Sequence, residues 1–171
     1  KTIQASETRD VGDDDDGGYD VCFAGRLIEH KNVDVILGAF DAVAADHDAT
    51  LGVIGDGSER DALAAQADAL THADCVEMLG FLDDYEDVLG HMRAADVFAS
   101  PSTREGFGIT FIDAMAADCT VIAADHPEWA ADEVIADAGI YVKPTTHAHT
   151  EQLNAALGGA RSSRSPAVDA K

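Results

Sequence analysis

Basic residues are scarce. Only 11 lysines and arginines stand against 33 aspartates and glutamates, a formal net charge of −22 at pH 7 over 171 residues. Such a chain repels polyanions, which makes nucleic acid and anionic membrane surfaces poor partners. Aromatic residues make up 6% of the chain, and there is one tryptophan. The three cysteines, Cys22, Cys75 and Cys119, lie far apart, and no metal-ligand spacing links them. Each adjoins or enters a strand-like run, so they read as buried thiols in a reducing cytoplasm. No apolar run approaches the roughly 18 residues that a membrane span requires. The amino end is polar and acidic, where a secretory signal would be apolar.

What is present fits an α/β protein. Hydrophobic residues reach 46% of the chain, drawn mainly from Ala, Val, Ile and Leu, and the length favours one domain with a substantial core. An acidic surface of this density repels itself in dilute buffer and is relieved by screening at high ionic strength. It therefore points to a salt-loving source, a halophilic archaeon.

Residues 1–18 carry no apolar periodicity and include the run Asp13 to Asp16 before Gly17-Gly18. They read as an acidic linker or tail, since the ligand spacing and closing Glu of a calcium loop are missing. Strands are then expected at Tyr19 to Ala24, Thr50 to Ile54, Cys75 to Leu79, Val97 to Ala99, Thr120 to Ala124 and Gly139 to Val142. Helices are expected between them. The first has Val33, Ile36, Leu37, Phe40 and Val43 at helical spacing; the second is capped by Ser58 and reaches about Leu70. The third runs from about Asp84 to Ala95 with Val88, Leu89 and Met92 inward. A short one lies around Ala130 to Ile135. The last begins near Thr150 and frays from Arg161, leaving 161–171 as a flexible tail. Strands alternating with helices predict a Rossmann-like, doubly wound parallel sheet of six strands over 19–160. Ligands of such sheets bind beyond the carboxyl ends of the strands. Gly25-Arg26, Gly55-Asp-Gly57, Gly80-Phe81 and Glu105-Gly106 all fall on that edge.

The richest stretch is Ser100-Pro-Ser-Thr-Arg-Glu-Gly-Phe-Gly-Ile-Thr-Phe-Ile-Asp-Ala-Met-Ala, ending at Ala116. A strand that runs through glycines into a helix presents free backbone N–H groups at the positive end of a helix dipole, which suits a phosphate. The helical pattern puts Ile109, Ile112, Met115 and Ala116 on one side. Glu105 and Asp113 bracket the anion site. At a helical rise of about 1.5 Å per residue their backbones would stand roughly 12 Å apart. That span suits an elongated ligand with hydroxyls at both ends and phosphates between, held by charge-assisted hydrogen bonds.

The ordered series Phe23-Ala-Gly-Arg26…Lys31-Asn32, Ile54-Gly-Asp-Gly57, Leu79-Gly-Phe-Leu82, Ala95-Asp96-Val97 and Ser102-Thr-Arg-Glu-Gly-Phe-Gly108…Asp113 resembles the carboxyl-terminal, donor-binding domain of retaining glycosyltransferases with the GT-B fold, glycosyltransferase family 4. The likeness runs from about Asp20 to Pro144. It implies a nucleoside-diphosphate-sugar as co-substrate, no metal, and an amino-terminal acceptor-binding domain in the same enzyme. The resemblance puts Arg26 and Lys31 on the donor's diphosphate, where preorganised positive charge lowers the barrier to sugar departure. It puts Glu105 on hydroxyls of the transferred sugar and Asp113 on the ribose. Gly106, Phe107 and Gly108 would offer N–H groups to sugar and phosphate, with Gly25, Gly55 and Gly57 beside them. Gly80, Phe81 and Leu82 would border the base. The family usually carries Glu where this chain has Asp113, one methylene shorter, so the ribose contact is direct after a small shift or bridged by water.

The remaining candidates read as structural. His147 and His149 are taken as solvated, Trp129 as a loop anchor and Arg104 as an exposed neighbour of Glu105; His126-Pro127 lies near the ligand edge. The expectation is an excised domain, inert alone, of a cytoplasmic enzyme that the missing half could hold at the inner face of the membrane. A non-catalytic nucleotide-sugar-binding module is the rival. A dinucleotide oxidoreductase would need Gly-x-Gly-x-x-Gly after the first strand, which is absent.

Overall fold

A computed structural model describes residues 18–105, 108–129 and 131–164. Its strands are β1 Val21–Ala24, β2 Leu51–Ile54, β3 Val76–Gly80, β4 Val97–Ser100, β5 Thr120–Ala124 and β6 Gly139–Val142. Its helices are α1 Val33–His47, α2 Arg60–Asp68, α3 Tyr85–Ala94, α4 Ile109–Ala116, α5 Ala131–Ile135 and α6 Thr146–Arg164. The strands form one sheet in the order β3-β2-β1-β4-β5-β6, and every neighbouring pair is parallel. The expected six-stranded doubly wound sheet is the observed one.

Alternate strand residues feed opposite layers, as the strand period of two requires. Val21, Phe23, Leu51, Val53, Val97, Ala99 and Ile122 join Ile36, Phe40, Leu63, Leu153 and Leu157 of α1, α2 and α6. Cys22, Ala24, Phe98, Val121 and Ala123 join Met92, Phe111 and Ile135 of α3, α4 and α5. A sheet covered on both faces explains why its strands read as unbroken apolar runs.

Several local expectations give way. Ser58 is not a cap: α2 starts at Arg60 with Glu59 at the N-cap and no side-chain capping bond. Asp84 does cap α3, accepting from the Glu86 N–H at 2.9 Å. On α4 the inward residues are Phe111 and Ala114, while Ile109 and Ile112 are 61% and 49% exposed. The helix is apolar nearly all round, so period alone cannot choose its face. The aromatic ring decides, since Phe111 packs on Phe98 and Trp129. Cys22 and Cys119 are buried, but Cys75 is only partly so. It closes a 3-10 turn, Ala73–Cys75, leading into the edge strand β3.

Helix α6 starts at Thr146, four residues before the expected start, and runs to Arg164. His149 thereby enters its first turn facing inward and is fully buried, against the solvated reading, whereas His147 is exposed. Apart from Gly18, the expected linker over 1–18 lies outside the described residues, as does the expected tail beyond Arg164.

Candidate functional site

The strand order reverses between β1 and β4, the switch point where a crevice opens in such sheets. These two strands pair only through Val21–Val97 and Cys22–Phe98. The loops leaving their carboxyl ends are stitched to one another by backbone bonds. Gly25 N–H donates to Ile54 O at 3.0 Å, Leu27 N–H to Asp56 O at 2.9 Å, and Gly55 N–H to Gly80 O at 2.8 Å. Thr103 N–H donates to His30 O at 2.9 Å, and the Asn32 side-chain amide donates to Pro101 O at 3.0 Å. The loops after β1, β2, β3 and β4 thus form one connected edge.

Two glycines make this approach possible. A Cβ on Gly55, whose φ is +139°, would lie 1.8 Å from the Gly25 carbonyl oxygen, and one on Gly57 would lie 2.3 Å from that of Leu27. Both were expected at the donor; the structure gives them a packing reason that needs no ligand. Gly25 sits in the same seam.

At the centre of the edge, Lys31 donates to Glu105 Oε1 at 2.5 Å, with the two side chains only 12% and 9% exposed. Local structure sets both. Lys31 ends a 3-10 turn, Glu29–Lys31, and Glu105 follows a turn in which the buried Ser102 hydroxyl donates to Arg104 O at 3.0 Å. Glu105 precedes α4 by four residues, so the all-helical 12 Å span does not hold between it and Asp113. Arg26 is exposed two residues beyond β1 and makes no ion pair among the described residues. Gly108, at φ +63°, is the N-cap of α4 and has no side chain with which to cap that helix start. Cationic groups, a carboxylate and a helix N-terminus with a glycine N-cap thus share one edge of the sheet. Gly106 and Phe107 lie outside the described residues.

Asp113 is where the sequence places it, on α4, but it already has a partner that sequence reasoning missed. Tyr85, the first residue of α3, donates its hydroxyl to Asp113 Oδ2. The Asp113 hydrogen bond, then burial, then the Asp113 charge push the Tyr85 hydroxyl up to about 12. No motif signals this contact, which joins residues 28 apart. Phe81, expected beside the base, is 71% exposed, and Leu82 is half-buried. Arg104 is exposed and lies 3.7 Å from Glu128 in the loop after β5. Trp129 is buried against Phe111 with ring centres 4.7 Å apart, the anchor expected of it.

Two depressions, of about 330 and 290 Å³, lie beside this edge, one lined by Leu82, Glu86, Gly90 and His91, the other by Asn32, Glu59 and Gln66. Neither is lined by Arg26, Lys31, Glu105 or Asp113. Among the described residues no helix is long and apolar enough to cross a membrane.

Fold and edge together define a Rossmann-like α/β domain with its polar loops gathered at the switch point. The profile of the family Glycosyl transferases group 1 matches residues 4–164, and the chain belongs to that family. It is 34% identical over 113 residues to the alpha-monoglucosyldiacylglycerol synthase of Streptococcus pneumoniae, covering 66% of this chain and 25% of that protein. It thus spans about a quarter of that relative's length. Its fold is similar to the C-terminal domain of the glycosyl transferase group 1 protein LpcC from Francisella tularensis, with a TM-score of 0.72 at 23% identity over 84% of this chain and 77% of that one. It is also similar to Anabaena HepE in complex with UDP, with a TM-score of 0.69 at 25% identity over 82% of this chain and 39% of that one.

Proposed function

We propose that this chain is the donor-binding half of a retaining glycosyltransferase that moves a sugar from a nucleoside diphosphate to an acceptor hydroxyl. The observation that carries this reading is the Lys31–Glu105 pair, set at the switch point with Glu105 four residues before α4 and its glycine N-cap. An ammonium has three N–H donors. One holds Glu105, leaving two for a phosphate oxygen, while Glu105 Oε2 is left to accept from a sugar hydroxyl. The pair therefore spans the bond that breaks, with the sugar on its acidic side and the diphosphate on its basic side. As that bond lengthens, charge grows on the departing diphosphate, and Lys31, Arg26 and the α4 N–H groups meet it. In this reading the cationic side chains and the helix start do the neutralising, and no metal is needed.

The acceptor would be held by the other half of the whole enzyme, leaving this chain alone inert. The UDP in the Anabaena structure supports a nucleoside diphosphate on this fold. The Streptococcus relative is named for a glucosylated diacylglycerol, which supports a lipid acceptor; we place the whole enzyme in the cytoplasm, working at the inner face of the membrane through its other half. We read the acidic surface as an adaptation to a salt-rich cytoplasm.

Calorimetry of the 171-residue chain with UDP- and GDP-sugars in molar KCl tests the reading. At least one donor should bind saturably, and Arg26→Ala or Lys31→Ala should weaken it by about tenfold or more, the scale of one hydrogen bond to a charged group. Binding of none, or binding indifferent to both changes, refutes it. In the whole enzyme Glu105→Ala should abolish transfer, and the product's anomeric configuration, read by NMR, should match that of the donor.

A further inference from the structure

Tyr85 and Asp113 form a hydrogen-bonded pair that the fold does not need. Tyr85 is 50% exposed, and Asp113 is only partly buried. A hydrogen bond so open to water adds little to stability, because water competes for both partners. The surroundings are unusual for a solvated pair. Phe81, Tyr85, Ile109 and Ile112 are the large apolar side chains left exposed among the described residues, at 71%, 50%, 61% and 49%. Ile109 and Ile112 lie one turn and one residue before Asp113 on α4, and Phe81 stands on the turn that leads into α3. A carboxylate and a phenol rimmed by apolar surface suit a ligand with hydroxyls on a flat or apolar frame.

The proton inventory sharpens this. Tyr85 donates its single hydrogen to Asp113 Oδ2, and the phenol is held protonated because its pKa is pushed up to about 12, chiefly by that bond. Its remaining lone pair and Asp113 Oδ1 then form two acceptors side by side, with no donor between them. Two neighbouring acceptors match two neighbouring O–H donors, a vicinal diol. We propose that Tyr85 completes, with Asp113, a seat for the vicinal hydroxyls of the donor's ribose, and that it is the residue by which this chain tells a ribonucleotide from a deoxyribonucleotide. Resting on the donor reading above, it gives Tyr85 two jobs: accepting from one hydroxyl, and positioning the short aspartate so that Oδ1 meets the other.

The test is a ratio of affinities within each variant, which a general loss of stability does not imitate. The 171-residue chain is titrated calorimetrically with UDP, GDP and their 2′-deoxy and 3′-deoxy forms. The unaltered chain should bind its preferred ribonucleotide about tenfold more tightly than either deoxy form, since one hydroxyl on a charged acceptor is worth that much. In Tyr85→Phe the ratio should fall below about threefold, through loss of affinity for the ribonucleotide rather than gain for the deoxy form. Lengthening the acid in Tyr85→Phe/Asp113→Glu should restore much of the ratio, because the longer carboxylate reaches both hydroxyls alone. If Tyr85→Phe keeps the full ratio, the proposal falls while nucleotide binding stands. If the unaltered chain binds no nucleotide, the donor reading falls and takes this one with it.

Discussion

Lys31 and Glu105 reach each other across 74 residues and from opposite sides of the switch point. With side chains only 12% and 9% exposed, neither charge keeps a full hydration shell, so each depends on the other. Removing the lysine strands a carboxylate; removing both charges strands nothing. Lys31→Met should therefore destabilise the chain by about 1–3 kcal/mol, and Lys31→Met/Glu105→Gln by clearly less. Urea unfolding in molar KCl measures both. With Glu105→Gln measured alongside, a double variant as unstable as the sum of the two single ones would show that the pair is not coupled. At this scale the sequence was readable where a residue type has few uses: an Arg-x4-Lys and a Glu just before glycines, all on one edge. It was silent on Tyr85, because a tyrosine opening a helix is ordinary and its partner lies on another helix. It also credited Gly55 and Gly57 to a ligand, although backbone crowding by Gly25 and Leu27 is enough to require them.

At the scale of elements, α6 shows how one boundary changes a residue's fate. Starting the helix at Thr146 turns the i,i+2 histidines in opposite directions, and His149 goes under the helix. Its Nδ1 faces Thr145 O at 3.1 Å, and its Nε2 is buried with no hydrogen-bond partner among the described residues. Burial pushes its pKa down, with the Thr145 and Lys143 backbone only partly offsetting this. The sign follows directly. Below about pH 6.5 the unfolded chain takes up a proton that the folded chain resists, so stability present above that pH is lost as pH falls. The melting temperature should drop between pH 7.5 and 5.5, and His149→Leu should flatten that slope; a slope unchanged in the variant would clear His149. Asp41 acts in a separate window. Burial raises its pKa, but the His72 and Thr71 N–H groups and the His72 ring outweigh this and lower it. Its contribution is thus lost only as pH falls through and below the ordinary carboxylate range. Strands were legible because burial on both faces makes them continuous apolar runs. Helix faces and starts were not, since α4 is apolar nearly all round and the cap of α6, the Thr145 hydroxyl accepting from the Ala148 N–H at 3.3 Å, lies five residues before the expected start.

The whole molecule sets a charge of −22 against an anionic ligand, so two fields compete for the donor. One is the repulsion of the entire acidic surface; the other is the attraction of Arg26, Lys31 and the α4 start. They respond differently to salt. Surface repulsion acts over distances that screening cuts from about 30 Å at 0.01 M to about 3 Å at 1 M. The attraction acts at contact, from a lysine largely withdrawn from solvent, and survives screening better. Exposed pairs such as Arg60–Asp56 and Arg93–Glu86, at 3.6 and 3.7 Å, contribute too little to hold the acidic shell together in dilute buffer. Raising KCl from 0.05 to 2 M should therefore raise the melting temperature. Within the range where the chain stays folded, it should also tighten nucleoside-diphosphate binding, the reverse of an ordinary phosphate site. Calorimetry and thermal melts over the same KCl series decide the matter. A midpoint that is flat or falls would remove the salt-adapted reading. Affinity that weakens steadily with salt would show that the local cations, not the acidic surface, govern how the donor arrives.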